Sequence, residues 1–237
     1  MPLLMIHGFP LDHETWKPIS GELEGSFDMI MPDLPGFGKS VILQYPMSIR
    51  EYAECLSNLL DHLGIEKTLV AGHSMGGYAA LEFARQYSKK MLGLVLIGSQ
   101  ARADTPEKKA GRFETIDRVN SEGIAAVAGM AEKLSNDQSH QPFFKQMIER
   151  QNPAGVKNGL MAMAGREDMT GFIPAFNFPI TLIHGLSDPL ISHERAREIK
   201  EILPSSILIE LPGIGHSPML EAAAQTKLAF EEMKKSI

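Results

Sequence analysis

The chain has 237 residues, enough for one large domain with a sizeable core but cramped for a second independent domain. Its formal net charge of −6, with both signs interspersed, excludes the basic stripe of a nucleic-acid-binding protein and strong attraction to an anionic membrane. The single cysteine, Cys55, excludes an internal disulfide, and the lack of a signal-like or membrane-spanning apolar run predicts a cytoplasmic protein with no membrane partner.

Strand and helix signals alternate through the first 97 residues. A short or broken helix is predicted near Pro18 and Gly21, and the clearest amphipathic helix begins at the S-x-x-E capping box of Ser48 and Glu51 and ends near Gly64. Four short apolar runs predict buried strands at 3–6, 27–31, 68–71 and 92–97. This alternation is typical of a doubly wound, mostly parallel α/β sheet.

The alternation stops between residues 100 and 178. This segment has no convincing buried strand, and the pairs Thr105-Pro106 and Asn152-Pro153 predict helix starts with proline at the first helical position. We therefore predict a helical cap at 100–178, inserted into a core formed by residues 1–99 and 179–237.

The predicted cap is rich in methionine, and two interpretations of that composition stay open. Thioether side chains suit a surface that repacks around varied apolar substrates, but they also serve as filler within a helical subdomain. The residues concerned are Met130, Met147, Met161, Met163 and Met169. After the cap, strands at 180–183 and 207–211 alternate with helices at about 193–203 and 218–235.

One turn carries the strongest chemical signal. Gly72-His73-Ser74-Met75-Gly76-Gly77 lies between a predicted strand and a helix that begins near Tyr78, which is the context of a G-x-S-x-G nucleophile elbow. The alternative is a glycine-rich turn with an incidental serine. A serine nucleophile needs a general base and an acid that orients the base, so two partners are required.

Candidates for both partners of Ser74 lie directly after later predicted strands. His216 lies in a glycine-rich loop after the last strand and is the predicted base, and Asp188 follows the preceding strand and is the predicted orienting acid. The chain order Ser74, Asp188, His216 is that of α/β hydrolases. Asp104, beyond the strand at 92–97, is the reserve candidate for the acid.

Two backbone N–H groups are the predicted oxyanion donors. Met75 follows the nucleophile directly, and Phe9 lies in the loop after the first strand, where Gly8 lets the backbone approach closely. The side chains of His7 and His73 are predicted to support these two loops rather than to transfer protons.

Cofactor and metal sites are not predicted. Gly38-Lys39-Ser40 resembles the end of a phosphate-binding loop, but Asp33 stands where its first glycine belongs and Pro46 falls where a helix should run. No G-x-G-x-x-G opens a helix, and the remaining histidines lack metal-ligand spacing.

Taken together, these residues resemble the α/β-hydrolase superfamily over nearly the whole chain. The residues 161–168 are similar to the end of the cap in the branch of enol-lactonases, small carboxylesterases and cofactor-free haloperoxidases. The resemblance implies Ser74, Asp188 and His216 as triad, with Phe9 and Met75 as oxyanion donors.

Family members usually carry an antiparallel strand pair before the oxyanion loop, and this sequence opens on the loop's own strand. The strand at 27–31 is then a sheet edge, for which we expect cover by a loop or by a second chain in a homo-oligomer.

The sequence predicts a cofactor-independent serine hydrolase that acts on a small ester or lactone. Two alternatives stay open at this point. The same fold supports lyases, carbon–carbon bond hydrolases and perhydrolases, and a small-molecule receptor could retain a hydrolase pocket.

Overall fold

One six-stranded sheet organises the molecule in a computed structural model that describes residues 1–43 and 46–237. All neighbouring strands pair in parallel, in the order β2-β1-β3-β4-β5-β6. The strands are β1 Pro2–Ile6, β2 Asp28–Ile30, β3 Thr68–His73, β4 Met91–Ile97, β5 Ile180–Gly185 and β6 Ile207–Leu211. The predicted α/β fold is confirmed.

Ten α-helices lie in the described residues and connect or cover these strands. They are α1 Lys17–Leu23, α2 Ile49–His62, α3 Met75–Gln86, α4 Pro106–Glu122, α5 Ala125–Ala128, α6 Gln141–Glu149, α7 Pro153–Ala164, α8 Glu194–Ile202, α9 Pro218–Glu221 and α10 Ala223–Lys235. No helix within residues 1–43 and 46–237 has the length and apolar character needed to cross a membrane.

Local signals explain where several helices begin. The Ser48 hydroxyl accepts from the Glu51 N–H, and the Ser48 N–H donates to the Glu51 carboxylate at 2.6 Å, so the predicted capping box starts α2. The helix near Pro18 is broken as predicted, into a 3-10 turn at His13–Trp16 followed by α1.

The predicted continuous helix at 218–235 is wrong at one position. Ala222, with φ −141° and ψ 50°, separates α9 from α10. The Pro218 carbonyl accepts from the Ala222 N–H at 2.9 Å and also from the Thr226 hydroxyl at 3.0 Å, so a hydrogen bond spans the break.

Each face of the sheet packs against its own layer of helices. Alternate residues of β1 point to opposite faces, so Leu4 and Ile6 join the core beneath α2 and α3, whereas Leu3 and Met5 join the core beneath α1 and α10. The full burial of β3 and the near-full burial of β4 match the apolar runs in the two strands, although β3 also buries Thr68 and His73.

The segment between β4 and β5 holds α4 to α7 and no strand, with α4 packed on α7. It is helical as expected, and its description as a separate cap stays a prediction.

At the sheet edge, β2 pairs with β1 and has only three residues. Whether a second chain covers that edge stays a prediction.

Candidate active site

The strand order reverses direction at β1. The chain passes from β1 to β2 on one side, then crosses to β3 on the other side, and ligands bind at the carboxyl ends of strands at such reversal points. The loop after β1 and the turn after β3 meet there, because a Cβ built on Gly8 would lie 3.1 Å from the Ser74 Cβ. The predicted oxyanion loop and the predicted nucleophile are thus brought together.

Ser74 occupies a strained backbone conformation. Its φ of 52° and ψ of −116° make it the one described residue other than glycine with a positive φ. A Cβ on Gly72 would lie 2.6 Å from the Gly76 carbonyl carbon, and one on Gly76 would lie 2.6 Å from the His7 carbonyl oxygen. Strand and helix cross so closely that only glycine fits on either side of the serine.

Asp188 and His216 form a buried pair. The His216 Nδ1 lies 2.7 Å from the Asp188 Oδ2, and the two side chains are 1% and 0% exposed. The other Asp188 oxygen accepts from the N–H groups of Leu190 at 2.8 Å and Ile191 at 3.0 Å. Burial alone would raise the pKa of Asp188, but His216 and the two N–H groups outweigh it and hold that pKa below its ordinary value.

The His216 Nε2 is buried and has no hydrogen-bond partner among the described residues. No hydrogen bond joins it to the Ser74 hydroxyl in this structure. Because Nδ1–H donates to Asp188, the network assigns the free lone pair to Nε2. A general base requires a lone pair at that atom.

His73 attaches the base to the elbow. Its Nε2–H donates to the His216 carbonyl at 2.9 Å, and the two ring centroids are 4.9 Å apart. Burial, followed by the charge of His216, lowers the pKa of His73 to about 3, so the ring is neutral near pH 7. This agrees with a supporting role for His73.

Glu221, which the sequence analysis did not single out, holds the loop around His216, the predicted base. Its carboxylate accepts from the N–H of Gly215 at 3.0 Å and from the N–H of Ser217 at 3.1 Å, the residues on either side of His216. A third N–H, from Asn136, donates to it at 2.9 Å. The signal available in the sequence was an acid in the first turn after Pro218.

The reserve acid is engaged elsewhere. Asp104, whose side chain is 0% exposed, forms ion pairs with Arg112 and, at 2.8 Å, with Arg166. The structure therefore places Asp188, rather than Asp104, against His216.

The predicted oxyanion donors lie at the start of α3 and in the loop after β1. Met75 is the first residue of α3, so its N–H has no acceptor within the helix. The loop that carries Phe9 is held by His7, whose Nε2 accepts from the Leu34 N–H at 2.9 Å and whose Nδ1–H donates to the Gly8 carbonyl at 2.9 Å. Phe9 lines the same cavity as Ser74, and the role of these two N–H groups as oxyanion donors stays a prediction.

A cavity of about 680 Å³ opens onto Ser74. Met130 and Met163 line it, whereas Met147 and Met169 are buried and do not. Two of the methionines therefore line the cavity and two pack in the core, and the role of the cavity in substrate binding stays a prediction. The apolar lining also includes Phe9, Ala126, Val127, Leu160, Leu190 and Ile191.

A family model described as alpha/beta hydrolase fold matches residues 1–119. The chain belongs to the α/β-hydrolase fold family. A solved thermophilic esterase from Thermogutta terrifontis, with malate bound, is 34% identical with a TM-score of 0.94, and the match covers 99% of this chain and 89% of the esterase. Lipase 3 from Moraxella sp. is 28% identical over 250 residues, which cover 100% of this chain and 78% of the lipase.

The predicted branch is also found among the structural neighbours of this α/β hydrolase. The enol-lactonase from Burkholderia xenovorans LB400 superposes with a TM-score of 0.91 over 99% of this chain and 91% of that one. At 19% identity the likeness shows the shared fold alone. The esterase and lipase relatives support hydrolase activity for this chain.

One cluster in this α/β hydrolase has the residue types of a metal site. Ligand atoms of Asp12, His13 and Asp33 all lie within 4.8 Å of one another. The Asp12 carboxylate, however, accepts from Arg150 at 2.8 and 2.9 Å, and the Asp33 carboxylate accepts from the His13 ring at 2.8 Å. These protein partners satisfy both acids, so the cluster carries no argument for a metal.

Proposed function

We propose that this protein is a cofactor-independent serine hydrolase that cleaves a small ester or lactone through an acyl-enzyme. The observation that carries the proposal is the buried 2.7 Å pair of His216 and Asp188, anchored through His73 to the strained turn that presents Ser74 to the cavity. The similarity to a solved esterase over nearly the whole chain supports the same activity.

In the proposed mechanism the Ser74 oxygen attacks the ester carbonyl and its proton passes to His216 Nε2. Asp188 stabilises the imidazolium that forms, and the N–H groups of Phe9 and Met75 donate to the tetrahedral oxyanion. The C–O bond to the alcohol then breaks, and the alcohol leaves with the proton from His216. Water, deprotonated by His216, attacks the acyl-enzyme and releases the acid and free Ser74.

A fluorophosphonate probe tests the nucleophile. We expect intact-mass spectrometry to show one adduct on the wild-type protein and none on Ser74→Ala, and kcat/KM for short p-nitrophenyl esters to fall on the order of 10⁴-fold or more. Ser88→Ala removes an exposed serine after α3 and is the matched control, which should label and turn over like wild type. Undiminished turnover by Ser74→Ala would refute the mechanism.

The alternatives predict different outcomes in the same experiment. A Ser74-dependent adduct without turnover of any ester would favour a lyase, a carbon–carbon bond hydrolase, a perhydrolase or a receptor. The absence of any adduct would mean that the elbow does not present a reactive serine.

A further inference from the structure

The cavity that opens onto Ser74 has a basic wall, and α4 forms most of this wall. Among the described residues that line the cavity above Ser74, none is Asp or Glu, and four are cationic: Lys108, Arg112, Arg118 and Lys133. The whole chain carries a net charge of −6, so the cavity has the opposite sign to the molecule. A cleft lined by one sign of charge concentrates ligands of the other sign.

The two arginines are already paired, but the two lysines are not. Arg112 binds the Asp104 carboxylate, and Arg118 binds Glu122 at 3.0 Å. Within the described part of the chain, neither Lys108 nor Lys133 has a carboxylate partner for its ammonium group. The cationic groups of the cavity that form no ion pair with a described carboxylate are therefore the two lysines.

The charged groups that act on Lys108 are one acid, Asp104, and three arginines. Lys108 is partly exposed, and its partial burial is the first cause of a lowered pKa; Asp104 raises that pKa, and repulsion from Arg112, Arg166 and Arg195 lowers it. A bound anion would relieve that repulsion and would favour the charged ammonium.

The helix geometry directs these groups into one cavity. Positions 108, 111, 112, 115 and 118 of α4 recur at spacings of three and four residues, so they share one helix face, and all five line the cavity. Gly111 leaves room beside Lys108, because nothing lies within 4 Å of a Cβ built there. The residues nearest the predicted catalytic loops, Phe9, Leu190 and Ile191, are apolar.

We propose that the substrate is a small ester or lactone that carries a carboxylate, and that Lys108 is a specificity-determining residue that binds this carboxylate, with Lys133 adding attraction. The proposal rests on the proposed function. An apolar segment of the substrate lies against Phe9 and Ile191, and the anion reaches α4. The guanidinium groups of Arg112 and Arg118 are occupied by Asp104 and Glu122, so the anion meets a lysine ammonium rather than a bidentate arginine.

Two esters that differ by the methylation of one carboxylate test this assignment. p-Nitrophenyl hydrogen glutarate and p-nitrophenyl methyl glutarate share a leaving group and a carbon chain, and only the first carries a carboxylate. We expect wild-type kcat/KM to favour the acid by about tenfold at low ionic strength, and the preference to shrink in 1 M salt. Lys108→Met should bring the ratio close to one, whereas Lys108→Arg should retain most of it.

Lys109→Met is the matched control, because Lys109 is an exposed lysine on the same helix that does not line the cavity. It should leave the ratio at the wild-type value. A wild-type ratio at or below one, or a ratio that Lys108→Met does not change, would overturn the assignment. If both esters were still hydrolysed and the hydrolysis required Ser74, the proposed serine hydrolase function would stand and only the role of Lys108 would be rejected.

A binding measurement separates the two proposals. Glutarate titrated calorimetrically into Ser74→Ala, which is designed not to turn over, should bind about tenfold more tightly than into Ser74→Ala/Lys108→Met. Such binding without ester turnover by the wild type would support the anion site and count against the proposed ester hydrolysis. Equal binding by the two variants would contradict the role of Lys108.

Discussion

Asp188 uses each carboxylate oxygen for a different partner. Oδ2 accepts from the His216 ring, and Oδ1 accepts from two consecutive backbone N–H groups of the loop that follows β5. With all of these donors in place the carboxylate has one orientation, and it fixes the orientation and the tautomer of the imidazole. The position of the predicted base, His216, therefore depends on a group that does not itself touch the proposed substrate.

Asp188→Asn should keep the size of this side chain and reverse one hydrogen bond. An amide N–H facing His216 Nδ1 would favour the tautomer with its proton on Nε2, where the lone pair is needed. We expect kcat/KM for a p-nitrophenyl ester to fall roughly 10³- to 10⁴-fold, with a folded protein by circular dichroism. Asp28→Asn, at an exposed carboxylate on β2, is the control, and equal activity in the two variants would exclude Asp188 as the orienting acid.

At the scale of secondary structure, the close crossing of β1, β3 and α3 positions the site. Gly72 lies at the end of β3 and Gly76 lies in the first turn of α3, and each faces neighbouring backbone at a distance that no Cβ could occupy. The crossing brings Ser74 to the loop after β1. The strained serine conformation depends on the packing of these three elements.

Gly76→Ala should be strongly destabilising, because its Cβ would meet the backbone of Ile6 and His7. We expect a loss of about 3 kcal/mol in the free energy of unfolding, measured by urea denaturation. Gly21→Ala is the matched control in α1, where nothing lies within 4 Å of the new Cβ, and it should stabilise by about 0.5–1 kcal/mol. Similar unfolding free energies for the two variants would contradict the account of the crossing.

At the scale of the whole molecule, three buried histidines make the fold sensitive to acid. Burial is the first cause of a lowered pKa in His7, His73 and His184. The unfolded chain therefore binds more protons than the folded chain once the pH falls below the ordinary histidine pKa of 6.5. Stability must decrease as the pH falls from 6.5, and for His73 the decrease continues to about pH 3.

Urea denaturation at pH 7.5 and at pH 5 measures this effect. We expect a lower free energy of unfolding at pH 5, by up to about 1.4 kcal/mol per pH unit for each neutral buried histidine below pH 6.5. His73→Gln keeps an N–H for the His216 carbonyl and removes one titrating group, so its pH dependence should be weaker. A midpoint that does not change between the two pH values would show that these histidines protonate in the folded state.

Short-range sequence signals predicted the α/β fold of this protein and most of its elements, although not the break at Ala222 in the last helix. The capping box at Ser48, the proline at the start of α4 and the apolar runs of β3 and β4 each depend on neighbouring residues, and the structure contains all of them. The turn at Ser74 could also be predicted from its glycines, because this composition between a strand and a helix is typical of a nucleophile elbow. The catalytic assignment of the three residues stays a prediction for the experiments above.

Tertiary contacts decided what the local signals could not. Asp188 and Asp104 both follow strands, and only packing shows that one faces His216 while the other binds two arginines. Glu221 accepts hydrogen bonds from the N–H groups of Gly215 and Ser217, and the order of helices and strands along the chain does not reveal these contacts.

The basic wall of the cavity is also a result of tertiary packing. The sequence by itself determined the order of the elements and the residue types at the ends of the strands, because those depend on the local properties of the chain. Only the tertiary structure decided that one face of α4 turns toward Ser74 and that Lys108 has no carboxylate partner among the described residues. Such pairings join residues far apart in the chain, and their energies depend on distance and burial in the folded state.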